Sequence, residues 1–154
     1  MKIPKVMATV PDYPDDYYPK SLWLSKDITN IERTIQAIEL ALDRYDNVEW
    51  LIPIQGHWRS PRSILKIIDW LRETGILDKH HYYAVANLCT TEEVEVIVKT
   101  LNIARRELGK KWIHSFGITL DSLPSAMHLI DSFDSTAWTK NCLLYTSPSP
   151  RDRG

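Results

Sequence analysis

The sequence has 154 residues, 44% of them apolar, with nineteen basic against twenty acidic side chains and a formal charge of −1. That length suffices for one domain with a buried core, and the charge balance demands neither nucleic acid nor an anionic membrane as a partner. No apolar run approaches a membrane span, the opening "MKIPKVMATVPDYP" has no secretory h-region, and Cys89 and Cys142 alone make neither a disulfide framework nor a zinc ligand set, so a cytoplasmic location is expected.

The first short apolar run, "KVMATV", reads as a strand and exits toward Asp12. A helix is expected over Thr29 to Asp46, because Ile31, Ile35, Ile38, Leu42 and Tyr45 recur at spacings of three and four; Asp27 or Thr29 can cap it. The run "WLIPIQ" follows as a strand and exits at Gln55 and Gly56. Ser60 and Pro61 then open a helix whose stripe is Ile64, Ile67, Ile68 and Leu71, with Gly75 as its stop. "YYAVANL" is the third strand, ending at Asn87, Leu88 and Cys89. Thr90 and Glu93 form a capping box for a helix carrying Val94, Ile97, Val98, Leu101, Ala104 and Leu108, stopped by Gly109. "WIHSFGI" is the fourth strand, a weaker helix spans Ser122 to Ile130, and "SFDSTAW" is the fifth strand, holding Asp134.

Continuous rather than alternating apolar runs predict strands buried on both faces, as in parallel sheets. The fold class is therefore α/β, with about five strands and four helices. Two architectures fit: part of a (β/α)8 TIM-type barrel, whose eight units need about 250 residues, or a small doubly wound domain. Composition changes abruptly in "NCLLYTSPSPRDRG". Back-translation of Cys142 to Asp152 yields eleven consecutive codons of a transposon-type sequencing adapter. Residues 141–154 are accordingly expected to be adapter read-through, residues 1–140 to be a truncated partial-barrel domain, and the native protein to continue further. That expectation favours the partial barrel.

Asp12, Gln55, Gly56, Asn87, His114, Gly117 and Asp134 stand at or near five successive strand ends. In parallel α/β folds those ends converge on the ligand-binding face. Carboxylates and an amide gathered there suit recognition of a hydrogen-bonding heterocycle and nucleophilic attack. Taken singly, each is as readily a cap, a turn former or a satisfied polar group. Asp131 is expected to support the entrance of the fifth strand. His57, Trp58 and Arg59 suit either a phosphate contact or loop packing, and His80-His81 lacks partners at zinc-ligand spacing.

In order, "VMATVPDYP", "NIERTIQAIELA", "IPIQG", "YYAVANLCTTEE", "WIHSFGI" and "IDSFDSTAWT" resemble the tRNA-guanine transglycosylase superfamily, over about residues 5–140. The resemblance is closest to its DNA-acting branch, which modifies DNA with deazapurines. It implies a (β/α)8 barrel that exchanges guanine in nucleic acid for a free 7-deazaguanine base without cutting the backbone, with DNA as partner and tRNA as the alternative, and with no membrane. By position, Asp134 resembles the nucleophile that attacks the sugar C1′. Asp12 resembles the acceptor for the guanine N1–H and N2–H₂ edge, and Gln55, beside Gly56, the amide donating to the base. Asn87, Leu88 and Cys89 fall where the family's backbone closes over the base; the tRNA enzymes prefer glycines there. Those enzymes also follow the nucleophile with a proline-threonine-arginine run, where this sequence has "STAWT". The family's upstream acid/base aspartate has no counterpart in this stretch, which is by itself expected to be inactive. The resemblance implies no cofactor within it and puts the family's structural zinc downstream. Two other readings stand beside this one: a non-catalytic nucleic-acid-binding accessory barrel, and an unrelated barrel enzyme acting on a sugar or small heterocycle.

Overall fold

The computed structural model describes residues 6–13, 29–57, 59–86 and 93–135. Asn87, Leu88 and Cys89, Thr90 and the stretch 141–154 lie outside the described residues. Five strands form one sheet: β1 (Val6–Thr9), β2 (Val48–Ile54), β3 (Tyr82–Val85), β4 (Trp112–Ile118) and β5 (Ser132–Ser135). Every neighbouring pair is parallel, and the spatial order follows the chain order. A doubly wound sheet reverses its strand order at a switch point; this one does not. Right-handed crossovers that always step the same way put every connecting helix on one face. The sheet curls accordingly into an open half-barrel, with helices α1 (Asn30–Arg44), α2 (Leu65–Glu73), α3 (Ile76–Lys79), α4 (Val94–Leu108) and α5 (Leu123–Ala126).

The core lies between sheet and helices. Register aligns Ile52 with Tyr83 and Ile113, and Ile54 with Val85 and Ser115, so these side chains share one face. All are fully buried, as are Ile38 of α1, Ile67, Ile68 and Leu71 of α2, and Ile97 and Leu101 of α4. Each such aliphatic side chain contributes about 1.5–3 kcal/mol relative to exposure. The opposite face is covered only in part: Pro53 and Ala84, paired at its centre, are buried as expected of strands covered on both sides, but the face is open elsewhere. Met7 (52% exposed) and Trp112 (40%) stand on it, because five strands close only part of a circle and nothing among the described residues faces them.

Helix ends follow the sequence reading in some places and depart from it in others, each for a local reason. Thr29, one of the two expected caps, does cap α1: its Oγ1 accepts from the Glu32 N–H at 3.1 Å. The buried line of α1 runs through Ile31, Thr34, Ile38 and Ala41, while Ile35 and Leu42 are only partly covered and Tyr45 is exposed. Glu93 has extended backbone and is itself the residue before α4, so it cannot be the third helical residue of a Thr90 capping box. Gly75, in the left-handed region at φ 80°, ends α2 as expected, but the chain then makes one more turn, α3. The weak helix after Ser122 is only α5 followed by a 3-10 turn, Met127–Leu129.

Candidate active site

Asp134 lies on the open face of the sheet. The pleat puts Trp112, His114 and Phe116 of β4 on that face, and pairing of His114 with Ser132 puts Ser132 and Asp134 of β5 beside them. Beyond Ser115 the register slips: Ser115 pairs with Phe133, but Ile118 pairs with Ser135. Phe116 and Gly117 thus oppose Asp134 alone, a bulge made accessible by Gly117 at φ 76°. The Asp134 side chain is 57% exposed, and its Oδ2 lies 3.2 Å from His114 Nε2. His114 Nδ1 lies 2.7 Å from Ser132 Oγ, which accepts from Trp112 Nε1–H at 3.1 Å. Asp134 is thus an exposed carboxylate near a strand end with one oxygen held by a histidine.

Asp12 follows β1 at the opposite edge of the sheet. Four strand spacings separate β1 from β5, about 19 Å measured along the sheet, and curling shortens the straight path between them. The two carboxylates do not touch; they bracket the open end. Burial pushes the Asp12 carboxyl above its ordinary range, against a bond to its own backbone N–H that pulls it down. A carboxylate so desolvated costs stability when charged and none when protonated. Asp12→Asn is therefore expected to raise the melting temperature at neutral pH, the gain disappearing in acid below the unfolded-state carboxylate value of about 3.9, as thermal scans at both pH values would read.

Gln55 is fully buried, and its amide is engaged within the protein. Its Oε1 accepts from the Tyr13 N–H (3.0 Å) and from Thr34 Oγ1 (2.5 Å), and its Nε2 donates to the Tyr13 carbonyl. These bonds tie the end of β1 to β2 and α1, and so fix Asp12, one residue before Tyr13. Gly56 is also buried; a Cβ there would stand 2.3 Å from Ser63 Oγ and 2.9 Å from Ile64 Cγ2. Its hydrogen lets the 3-10 turn Pro61–Ile64 pack against the strand end. Arg59 is ion-paired with Glu93 at 3.0 Å. Among the described residues no group of three or more His, Cys, Asp or Glu could hold a metal ion.

The feature that sequence reasoning missed is Arg105, on α4. Its guanidinium donates through Nε to the Leu129 carbonyl (2.9 Å), through Nη1 to those of Gly109 (2.8 Å) and Lys111 (2.9 Å), and through Nη2 to Asp131 Oδ2 (2.9 Å). Asp131 Oδ2 also accepts the Ile113 N–H at 2.8 Å, while the Asp131 N–H donates to the Ile113 carbonyl. Asp131 thus braces the start of β5 against β4. Burial pushes its carboxyl up, but the Ile113 N–H and Arg105 outweigh that and hold it below the ordinary range. A depressed carboxyl contributes stability above its unfolded value, lost as pH falls through the folded one. Asp131→Asn is expected to cost about 1–2 kcal/mol at neutral pH, reduced by partial exposure. Urea unfolding at successively lower pH below the unfolded-state carboxylate value of about 3.9 should find the difference between variant and wild type shrinking.

No family model and no curated protein matches this chain.

Proposed function

We propose that this chain carries the nucleophile half of a base-exchanging transglycosylase barrel, replacing guanine in DNA by a 7-deazaguanine through a covalent aspartyl intermediate. The observation that carries the proposal is the Asp134 carboxylate, exposed on the open face of a sequentially ordered parallel sheet, opposite a bulge, with one oxygen held by His114. In a complete (β/α)8 barrel that face lines the interior, and the strand ends carry the chemistry.

The chemistry is a double displacement. An Asp134 oxygen forms a bond to C1′ of the target nucleotide as the C1′–N9 bond to guanine breaks; the departing base takes up a proton. The incoming deazaguanine then bonds C1′ through N9, gives up its proton, and releases the carboxylate. Each step inverts C1′, so the exchange retains configuration, as with retaining glycosidases. Asp12 is the acceptor for the N1–H and N2–H₂ edge of guanine, since only a carboxylate offers paired acceptors. Gln55 contributes by holding the Tyr13 backbone and hence Asp12. Asn87, Leu88 and Cys89 belong to the proposal by resemblance alone. Exposed Trp112 and partly exposed Tyr82, their rings 6.1 Å apart, give the same face an aromatic surface.

The test compares the intact protein with Asp134→Ala in cells supplied with 7-deazaguanine precursors. DNA and tRNA are digested separately, and nucleosides are read by mass spectrometry. Deazaguanine in DNA that vanishes with Asp134→Ala is the expected result. Signal confined to tRNA would move the activity to the tRNA branch. Silence in both would leave a non-catalytic accessory barrel or an unrelated barrel enzyme.

A further inference from the structure

We propose that His114 is the positioning residue of Asp134, its ring proton fixed on Nε2 by a directional chain from Trp112 through Ser132. The inference rests on Asp134 being the nucleophile.

The direction of the chain follows from what each group can do. An indole nitrogen only donates, so the Trp112 Nε1–H is given to Ser132 Oγ at 3.1 Å. The Ser132 hydroxyl keeps its own hydrogen to give, and His114 Nδ1, 2.7 Å away, takes it when the ring is neutral and its Nε2 donates to the carboxylate. With Nδ1 an acceptor, the neutral ring carries its hydrogen on Nε2, which faces Asp134 Oδ2 at 3.2 Å. A carboxylate only accepts, so both ends of the chain point one way. The Phe116 ring, edge-on at 5.2 Å, packs against the imidazole. Pleat alternation and the His114–Ser132 pairing assemble all five residues on one face.

The device answers a specific difficulty. Asp134 is more exposed than buried, and a side chain so placed would otherwise sample several rotamers. An attack on C1′ needs the carboxylate oxygen in line with the breaking bond, and a misplacement of 1 Å costs about 100-fold. Anchoring Oδ2 turns Oδ1 outward as the attacking oxygen. His114 is itself largely covered, with 15% of its side chain exposed, so the anchor is stiffer than the group it holds.

The test is made on the intact protein, as exchange of labelled guanine in nucleic acid. His114→Phe keeps the ring volume and removes both nitrogens; it is expected to lower kcat about 10–100-fold with KM for nucleic acid within about twofold. His114→Gln, whose amide can reach the carboxylate, is expected to recover most of that loss, and Ser132→Ala to lower kcat less than His114→Phe does. Nitrogen NMR of the neutral His114 ring should show Nε2 protonated in the wild type and a mixture of tautomers in Ser132→Ala. Wild-type turnover with His114→Phe unimpaired, or a wild-type ring protonated on Nδ1, would overturn the inference and leave the nucleophile assignment standing. Wild-type protein as silent as Asp134→Ala would instead sink the assignment, and the inference with it.

Discussion

Asp134→Ala is expected to lower kcat for base exchange by about 10⁴-fold or more, with the protein still folded and still binding nucleic acid. The size follows from the role. Removing a nucleophile removes the covalent route altogether, and what remains is whatever acceleration binding and orientation supply. The fold should hardly register the change. The Asp134 side chain is exposed, and among the described residues it pairs only with His114, itself charged only when protonated. Surface groups of this kind contribute within about 0.5 kcal/mol to stability. Single-turnover exchange kinetics, with thermal unfolding as a control, separate the two effects. Activity within tenfold of wild type would require another nucleophile.

The second large effect is on stability. Arg105→Met is expected to destabilise the protein by about 2–4 kcal/mol, because four acceptors lose their donor together: three carbonyls and the Asp131 carboxylate. Methionine fills much of the space of the arginine stem, so lost hydrogen bonding rather than a cavity dominates. Arg105→Lys should recover only part of the loss, since an ammonium lacks the planar fork that reaches four acceptors. The readout is the denaturant midpoint at unchanged slope. The consequence for the site is indirect but large. Gly109 and Lys111 lead into β4, and Leu129 and Asp131 lead into β5, so the guanidinium fixes the pairing that brings His114 beside Asp134. Arg105→Met should therefore lose exchange activity as well, without touching substrate.

What the sequence makes legible is what local spacing encodes. Ile64, Ile67, Ile68 and Leu71 fall on one stripe, and all four are buried. The strand-helix beat predicts parallel strands, and the sheet is parallel throughout. Choosing between a doubly wound sheet and part of a barrel needs the spatial order of strands, which no local pattern carries. The site is harder for the same reason. His114, Ser132 and Trp112 come together through cross-strand register, and the slip at Gly117 that sets Asp134 opposite a bulge is also a property of pairing. The glycine in "HSFGI" was the one local sign of that irregularity. Gln55 illustrates the converse: an amide at a strand end reads as a ligand contact, yet its bonds go to Tyr13 and Thr34. Arg105 beside the apolar stripe of α4 reads as a solvated charge until its four acceptors are seen.

The most direct measurement is of the covalent intermediate. The intact protein is mixed with a guanine-containing DNA oligonucleotide in the absence of incoming base, quenched with denaturant, and digested for peptide mapping by mass spectrometry. The account predicts a peptide spanning Asp134 whose mass is raised by a nucleotide lacking its base, absent from Asp134→Ala and discharged when 7-deazaguanine is added. Exchange proceeding with no such adduct, or an adduct on a different residue, would contradict it.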